Sequence, residues 1–329
     1  MLKKITLLFL CFVLILALPS CGPSNTDHTS MGSDEKIRIV ATIFPIYDWV
    51  NEITGDNADV ELLMSNGVDL HSFQPSVDDI IDITDCDVFI YVGGTSDSWV
   101  NDVLMQSNRE TPVTINLIEL LGDKAKEEEA VPGMQEEDED DHHDDQHHTG
   151  IEYDEHVWLS LKNADIICEE ICNTLCSIDP ENSKQYLANY SNYSAQLKQM
   201  DSKYSNSLLT AKHDTVLFGD RFPFRYLTDD YGIKYYAAFL GCSAESEASF
   251  ETIIFLANKV DELSLPAILK IETSDGSIAE TIRNNTASKD QKILEMNSMQ
   301  SCTIEDMKNG ARYLQIMDDN LSTLLEALS

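Results

Sequence analysis

Two isolated histidines, His71 in "NGVDLHSFQPS" and His156 in "YDEHVWLSLKNA", stand outside any regular apolar pattern, and four more crowd into "EEDEDDHHDDQHHTG" as His142, His143, His147 and His148. Neutral imidazole is a good ligand for Zn²⁺, provided that its second ring nitrogen finds a carbonyl or carboxylate partner. A single loop histidine is usually structural or simply exposed. Two of them in strand-end loops of one lobe of an acidic chain point instead toward a divalent-metal site. The crowded run reads differently. It has no apolar residue to fix a geometry, and a folded site needs ligands held in place. Its histidines and acids bind cations weakly and exchange them quickly, or serve only as solvated surface.

The elements that must position these residues alternate. Apolar, β-branched runs at residues 36–43, 59–64, 87–94 and 112–117 read as buried strands, with helical stretches between them. Ser76, with Asp79 three residues on, caps the helix that follows His71. The same alternation returns with strands at 215–219, 234–239, 266–271 and 292–296. Between the two sets, Tyr186, Tyr190, Tyr193, Leu197, Met200, Tyr204 and Leu208 recur at spacings of three and four, one face of a long helix. The expectation is an α/β protein: two βα lobes, each with a mostly parallel four-stranded sheet, joined by one long rigid helix. The N-terminal lobe covers residues 36–180, the linking helix 181–212 and the C-terminal lobe 213–329. Residues 122–150 interrupt the first lobe with charge and no apolar period, and read as a disordered acidic, histidine-rich insert. In such folds ligands bind at the carboxyl ends of parallel strands, here in a cleft between the lobes. That placement includes His71 and leaves out His213, on the wrong side of its strand.

The N-terminus reads as an export signal over residues 1–20, with Lys3 and Lys4 ahead of an apolar run. "LPSCG" then resembles a lipobox that would lipidate Cys21 and leave residues 21–35 as a flexible tether. The formal net charge of −36 repels nucleic acid and anionic lipid and attracts cations. Cys168, Cys172 and Cys176 form one helical stripe and read as small buried hydrophobes; Cys86, Cys242 and Cys302 carry no pairing signal. Neither HExxH nor GxSxG is present, so a hydrolase reading has no motif to stand on.

Taken together, "GVDLHSFQPS", "DEHVWLSLKNA" and "FGDRFPFRYLTDDYGI" resemble the substrate-binding lipoproteins of zinc and manganese ABC importers, over nearly the whole mature chain. The resemblance implies a binding protein, not an enzyme. It would capture Zn²⁺, with Mn²⁺ as the alternative, and work as a monomer that hands the ion to a membrane permease. It makes His71 and His156 the metal ligands of the first lobe, and the acidic histidine-rich insert a zinc-collecting loop. The third motif departs from the family. Where many members carry a histidine, this chain has Gly219-Asp220-Arg221, and Asp220 is the side chain there that can offer oxygen. Arg221 is the alternative occupant of the histidine's place. The family's fourth ligand is usually a carboxylate near the last strand of the second lobe; "EMNSMQSC" offers Glu295 and Cys302 but no acid at that loop position. Glu272, at the end of "PAILKIE", faces the cleft rim and is taken as the fourth ligand, and Glu245 is a weaker candidate.

Overall fold

The computed structural model describes residues 36–106, 112–135, 152–243 and 247–329. The proposed signal, Cys21, the tether, the four clustered histidines and Glu245 all lie outside these residues.

Strand β1 (Ile37–Ala41) runs into helix α1 (Phe44–Thr54), and β2 (Ala58–Leu62) leads through a loop to α2 (Val77–Asp85). Then come β3 (Val88–Tyr91), α3 (Trp99–Gln106), β4 (Val113–Asn116) and the short α4 (Leu117–Leu121). Ser76 and Asp79 form a reciprocal capping box that starts α2. The four strands make one parallel sheet in the order β2-β1-β3-β4. Helices α5 (Leu161–Ile178) and α6 (Ser183–Leu208) follow. The second half repeats the plan with β5 (Thr215–Phe222), α7 (Arg225–Tyr231), β6 (Lys234–Leu240), α8 (Phe250–Leu263), β7 (Ala267–Ile271), α9 (Ser277–Asn285) and β8 (Lys292–Met296). Its sheet is again parallel, in the order β6-β5-β7-β8. The chain closes with α10 (Ile304–Lys308) and α11 (Tyr313–Ala327). Each sheet reverses its strand order beside its first strand, which opens a crevice at the carboxyl ends.

Helix α6 buries Tyr186, Tyr193, Leu197 and Tyr204, the face that the spacing of three and four outlines. It packs on α5, α1 and α11. One apolar cluster runs from Ile39 and Ile90 of the first sheet through Trp158 and Tyr313 to Phe218 and Leu269 of the second. Trp158 joins the halves further: its Nε1 donates to Ser298 O at 2.8 Å, and its carbonyl accepts from Tyr313 OH at 2.7 Å. Among the described residues, no helix is long and apolar enough to cross a membrane.

Residues 122–135 differ from the structureless insert that their composition suggests. Glu127 pairs with Tyr153 in an antiparallel bridge, and Asp154 N donates to Lys126 O at 2.8 Å. Gln135 N donates to Ala238 O at 2.9 Å. Backbone bonds to distant residues hold this segment, and such bonds leave no hydrophobic period in the sequence.

Candidate metal centre

His71 leaves β2 through a loop that ends in a 3₁₀ turn, Leu70–Ser72. Asp69 caps the turn by accepting from His71 N at 3.0 Å. His156 directly precedes the 3₁₀ turn Val157–Leu159 and is fully buried. The two rings, 85 residues apart in sequence, lie 5.4 Å apart between centroids. Each Nδ1 is already engaged. That of His156 is 2.9 Å from Asp154 Oδ1, and that of His71 is 2.7 Å from Ser96 Oγ. A proton held on Nδ1 leaves the Nε2 lone pair free, the state a metal requires. Both Nε2 atoms converge on the Gln300 amide nitrogen, at 3.3 Å for His71 and 2.5 Å for His156.

The third member is Cys242, just past the carboxyl end of β6. Donor atoms of His71, His156 and Cys242 all lie within 4.8 Å of one another. A site of two imidazole nitrogens and one thiolate suits a borderline-soft divalent ion such as Zn²⁺. Gly241 makes the approach possible, since a Cβ there would sit 2.9 Å from His156 Cε1 and from Phe222 O. Gly94, at φ +81°, does the same for Glu155, whose Oε1 would lie 2.4 Å from an added Cβ.

The electrostatics match a cation site that is short of positive charge. Burial, reinforced by neighbouring His156, pulls the His71 imidazole down to about 4. Burial pushes the Cys242 thiol well above its ordinary range, and nearby Glu128 adds to this. Burial also raises the Glu155 carboxyl. Oxygens Glu155 Oε2 and Glu128 Oε1 are shut off from solvent without a hydrogen-bond partner. Glu155 Oε2 lies 3.6 Å from His71 Nδ1. A cavity of about 530 Å³ opens beside these groups, lined by His71, Glu128, Glu155 and Cys242 among others.

The structure brings His71 and His156 together; Asp220 and Glu272 stand outside their cluster with Cys242. The Asp220 carboxylate accepts from Arg221 N at 2.9 Å and from Ile271 N at 3.2 Å, filling the ladder where β5 bulges. Glu272 accepts from Ser298 N at 2.8 Å and Ser298 Oγ at 2.7 Å, so it braces the loop that carries Gln300. Arg221 ties the loop of His71 to that of Cys242, with Nη2 2.8 Å from Asp69 Oδ2 and Nη1 3.4 Å from Ser243 O. Glu295 pairs with Lys270 at 2.6 Å, and Cys302 is buried. His213, whose N donates to Leu328 O at 3.1 Å, sits at the amino end of β5. Sequence reasoning passed over Cys242 and Gln300. The signal was there for the thiol: it directly follows a strand, at the rim where such folds bind ligands. For Gln300 there was none, because a neutral amide is not a typical ligand type.

Comparison with known proteins gives a consistent picture. The family described as zinc-uptake complex component A, periplasmic, matches residues 39–327. The zinc-binding lipoprotein AdcA of Streptococcus pneumoniae (strain ATCC BAA-255 / R6) is 31% identical over 326 residues, covering 98% of this chain and 60% of that protein. The chain thus spans about 60% of the length of that relative. The high-affinity zinc uptake system protein ZnuA of Bacillus subtilis (strain 168) is 27% identical over 331 residues, covering 100% of this chain and 99% of that one. The crystal structure of the Zn(II)-bound ZnuA-like domain of S. pneumoniae AdcA superposes with a TM-score of 0.70 at 27% identity, over 89% of this chain and 99% of that one.

Proposed function

Because the chain belongs to the zinc-uptake complex component A family, we propose that it captures Zn²⁺ outside the cytoplasm and hands it to an ABC permease. The reading is one of binding and release without chemical conversion of a substrate. Lipidation at Cys21 would hold the protein at the outer face of the membrane, with His142, His143, His147 and His148 as a weak collecting surface. The observation that carries the proposal is the convergence of His71, His156 and Cys242 on one point. We assign these three as ligands. Asp220 and Glu272, whose oxygens already serve backbone and hydroxyl donors, position the loops around them. Thiolate with imidazole favours zinc over manganese, the alternative ion.

The test is a competition titration with a chromophoric chelator. The wild-type protein is expected to take one zinc tightly. His71→Ala and His156→Ala should each lose at least about tenfold in affinity, the lower end of what even outer-shell losses cost. Variants that both bind as the wild type does would remove the site. Deleting residues 136–151 should abolish weak sites and leave the tight one.

A further inference from the structure

A metal site assembled from two halves needs something to fix the distance between its donors. His71 comes from the loop after β2, and Cys242 from the end of β6. We propose that Arg221 is the positioning residue that sets the spacing of these two donors, and through it the rate at which the ion leaves. The inference rests on the zinc-capture reading above and assigns Arg221 no bond to the metal.

The placement of Arg221 begins in β5. Between the pairs Phe218–Ala237 and Arg221–Phe239, β5 takes one residue more than β6. A bulge of this kind re-aims the side chains around it. The Asp220 carboxylate closes the gap by accepting from Arg221 N and Ile271 N. Beyond the bulge, Arg221 and Phe222 regain register with Phe239 and Leu240, just ahead of Cys242. From there the guanidinium reaches across to the first half. Nη2 donates to Asp69 Oδ2 at 2.8 Å, and Nη1 donates to Ser243 O at 3.4 Å. Each acceptor is coupled to a metal donor. Asp69 Oδ1 accepts from His71 N at 3.0 Å, so the carboxylate that holds the arginine also holds the backbone of the histidine. Ser243 directly follows Cys242 in the chain. One planar, rigid fork thus spans both donors.

Energetics separate a position-setter from a plain brace. The side chains of Arg221 and Asp69 are each only 18% exposed. A pair withdrawn from water to this degree stabilises a fold little, because desolvation offsets much of the attraction. Its effect on geometry is larger. Coordination asks its donors to stay within about 0.5 Å of their productive positions. Without the fork, the ion itself would have to draw together loops from two different sheets, which lowers its affinity. Asp69 and Arg221 act on the His71 imidazole with opposite sign, so the tie adds little net charge beside a cation.

The test uses the full chain with zinc and, for spectra, with cobalt(II). Arg221→Gln should weaken zinc binding at least about tenfold, with most of the change in the dissociation rate. The visible bands of its cobalt form should change, because His71 and Cys242 no longer approach the ion together. Arg221→Lys keeps the charge without the fork and should fall between Arg221→Gln and the wild type. The double variant Asp69→Asn/Arg221→Gln leaves no lone buried carboxylate. Metal-free, it should unfold near the wild-type denaturant midpoint, yet bind zinc as weakly as Arg221→Gln. The inference is overturned if the double variant matches the wild type in zinc affinity and cobalt spectrum, or if Arg221→Lys does. A wild-type protein that takes no zinc, or one whose affinity survives His71→Ala, would instead overturn the zinc-capture reading.

Discussion

The proton traffic at the site belongs to Cys242. His71 is already neutral above about pH 4, and the buried thiol holds its proton far above neutrality. Zinc binding must therefore expel that proton, because only the thiolate is a ligand. Between these limits each step up in pH raises the thiolate fraction, so apparent zinc affinity should climb about tenfold per pH unit. Affinities measured by chelator competition across neutral pH test this. In Cys242→Ser the slope should flatten and the affinity drop; a wild-type protein with no slope would place the sulfur outside the coordination sphere. This is also where sequence reading ran thin. His71 and His156 were legible as loop histidines at a strand-end rim. Cys242 carries the same strand-end signal, but its meeting with the two imidazoles depends on how the end of β6 lies against the loops of the first half.

Among the elements, the loop after β8 is held by one carboxylate. Glu272, at the end of β7, takes both the N–H and the hydroxyl of Ser298. The loop is tied again to the first half, with Asn66 bridged to Thr303 and Ile304 N donating to Ser65 O at 3.3 Å. Glu272→Gln should cost about 1–3 kcal/mol of stability in denaturant unfolding, the range for losing bonds at a buried polar group. Zinc affinity should change less than in His71→Ala. A loss as large as that variant's would make Glu272 a ligand after all. The strands themselves were legible, since a parallel sheet covered on both faces demands continuous apolar runs. So was α6, whose tyrosines keep helical spacing. The bulge in β5 was not legible: Asp220 looks like a free oxygen donor until the ladder shows Ile271 N needing a partner.

At the scale of the whole molecule, burial sets how metal-free stability follows pH. Two buried carboxyls lie above their unfolded value of 3.8: burial lifts Asp48 to about 6 and Asp97 to about 7. Through that interval the native state keeps protons that the unfolded chain has released, so these groups stabilise most at acid pH and lose ground as pH rises. His71 works the other way. Its native value of about 4 lies below the ordinary 6.5, so the unfolded chain gains a proton first and stability falls as pH drops through 6.5 toward 4. Each unmatched proton is worth about 1.4 kcal/mol per pH unit. Unfolding midpoints of chelator-treated protein between pH 4 and 7 should thus decline less steeply with rising pH in Asp97→Asn than in the wild type, and more steeply in His71→Gln. The self-repulsion of a chain with net charge −36 pushes in the same direction as the carboxyls but is nearly common to all three proteins, so the comparison isolates the single sites. Zinc should oppose this trend. Its affinity climbs with pH through Cys242, and a ligand confined to the native state stabilises by RT ln(1 + [L]/Kd). The gap between zinc-loaded and metal-free midpoints should widen as pH rises. A gap that stays constant would uncouple ion capture from the proton leaving the thiol.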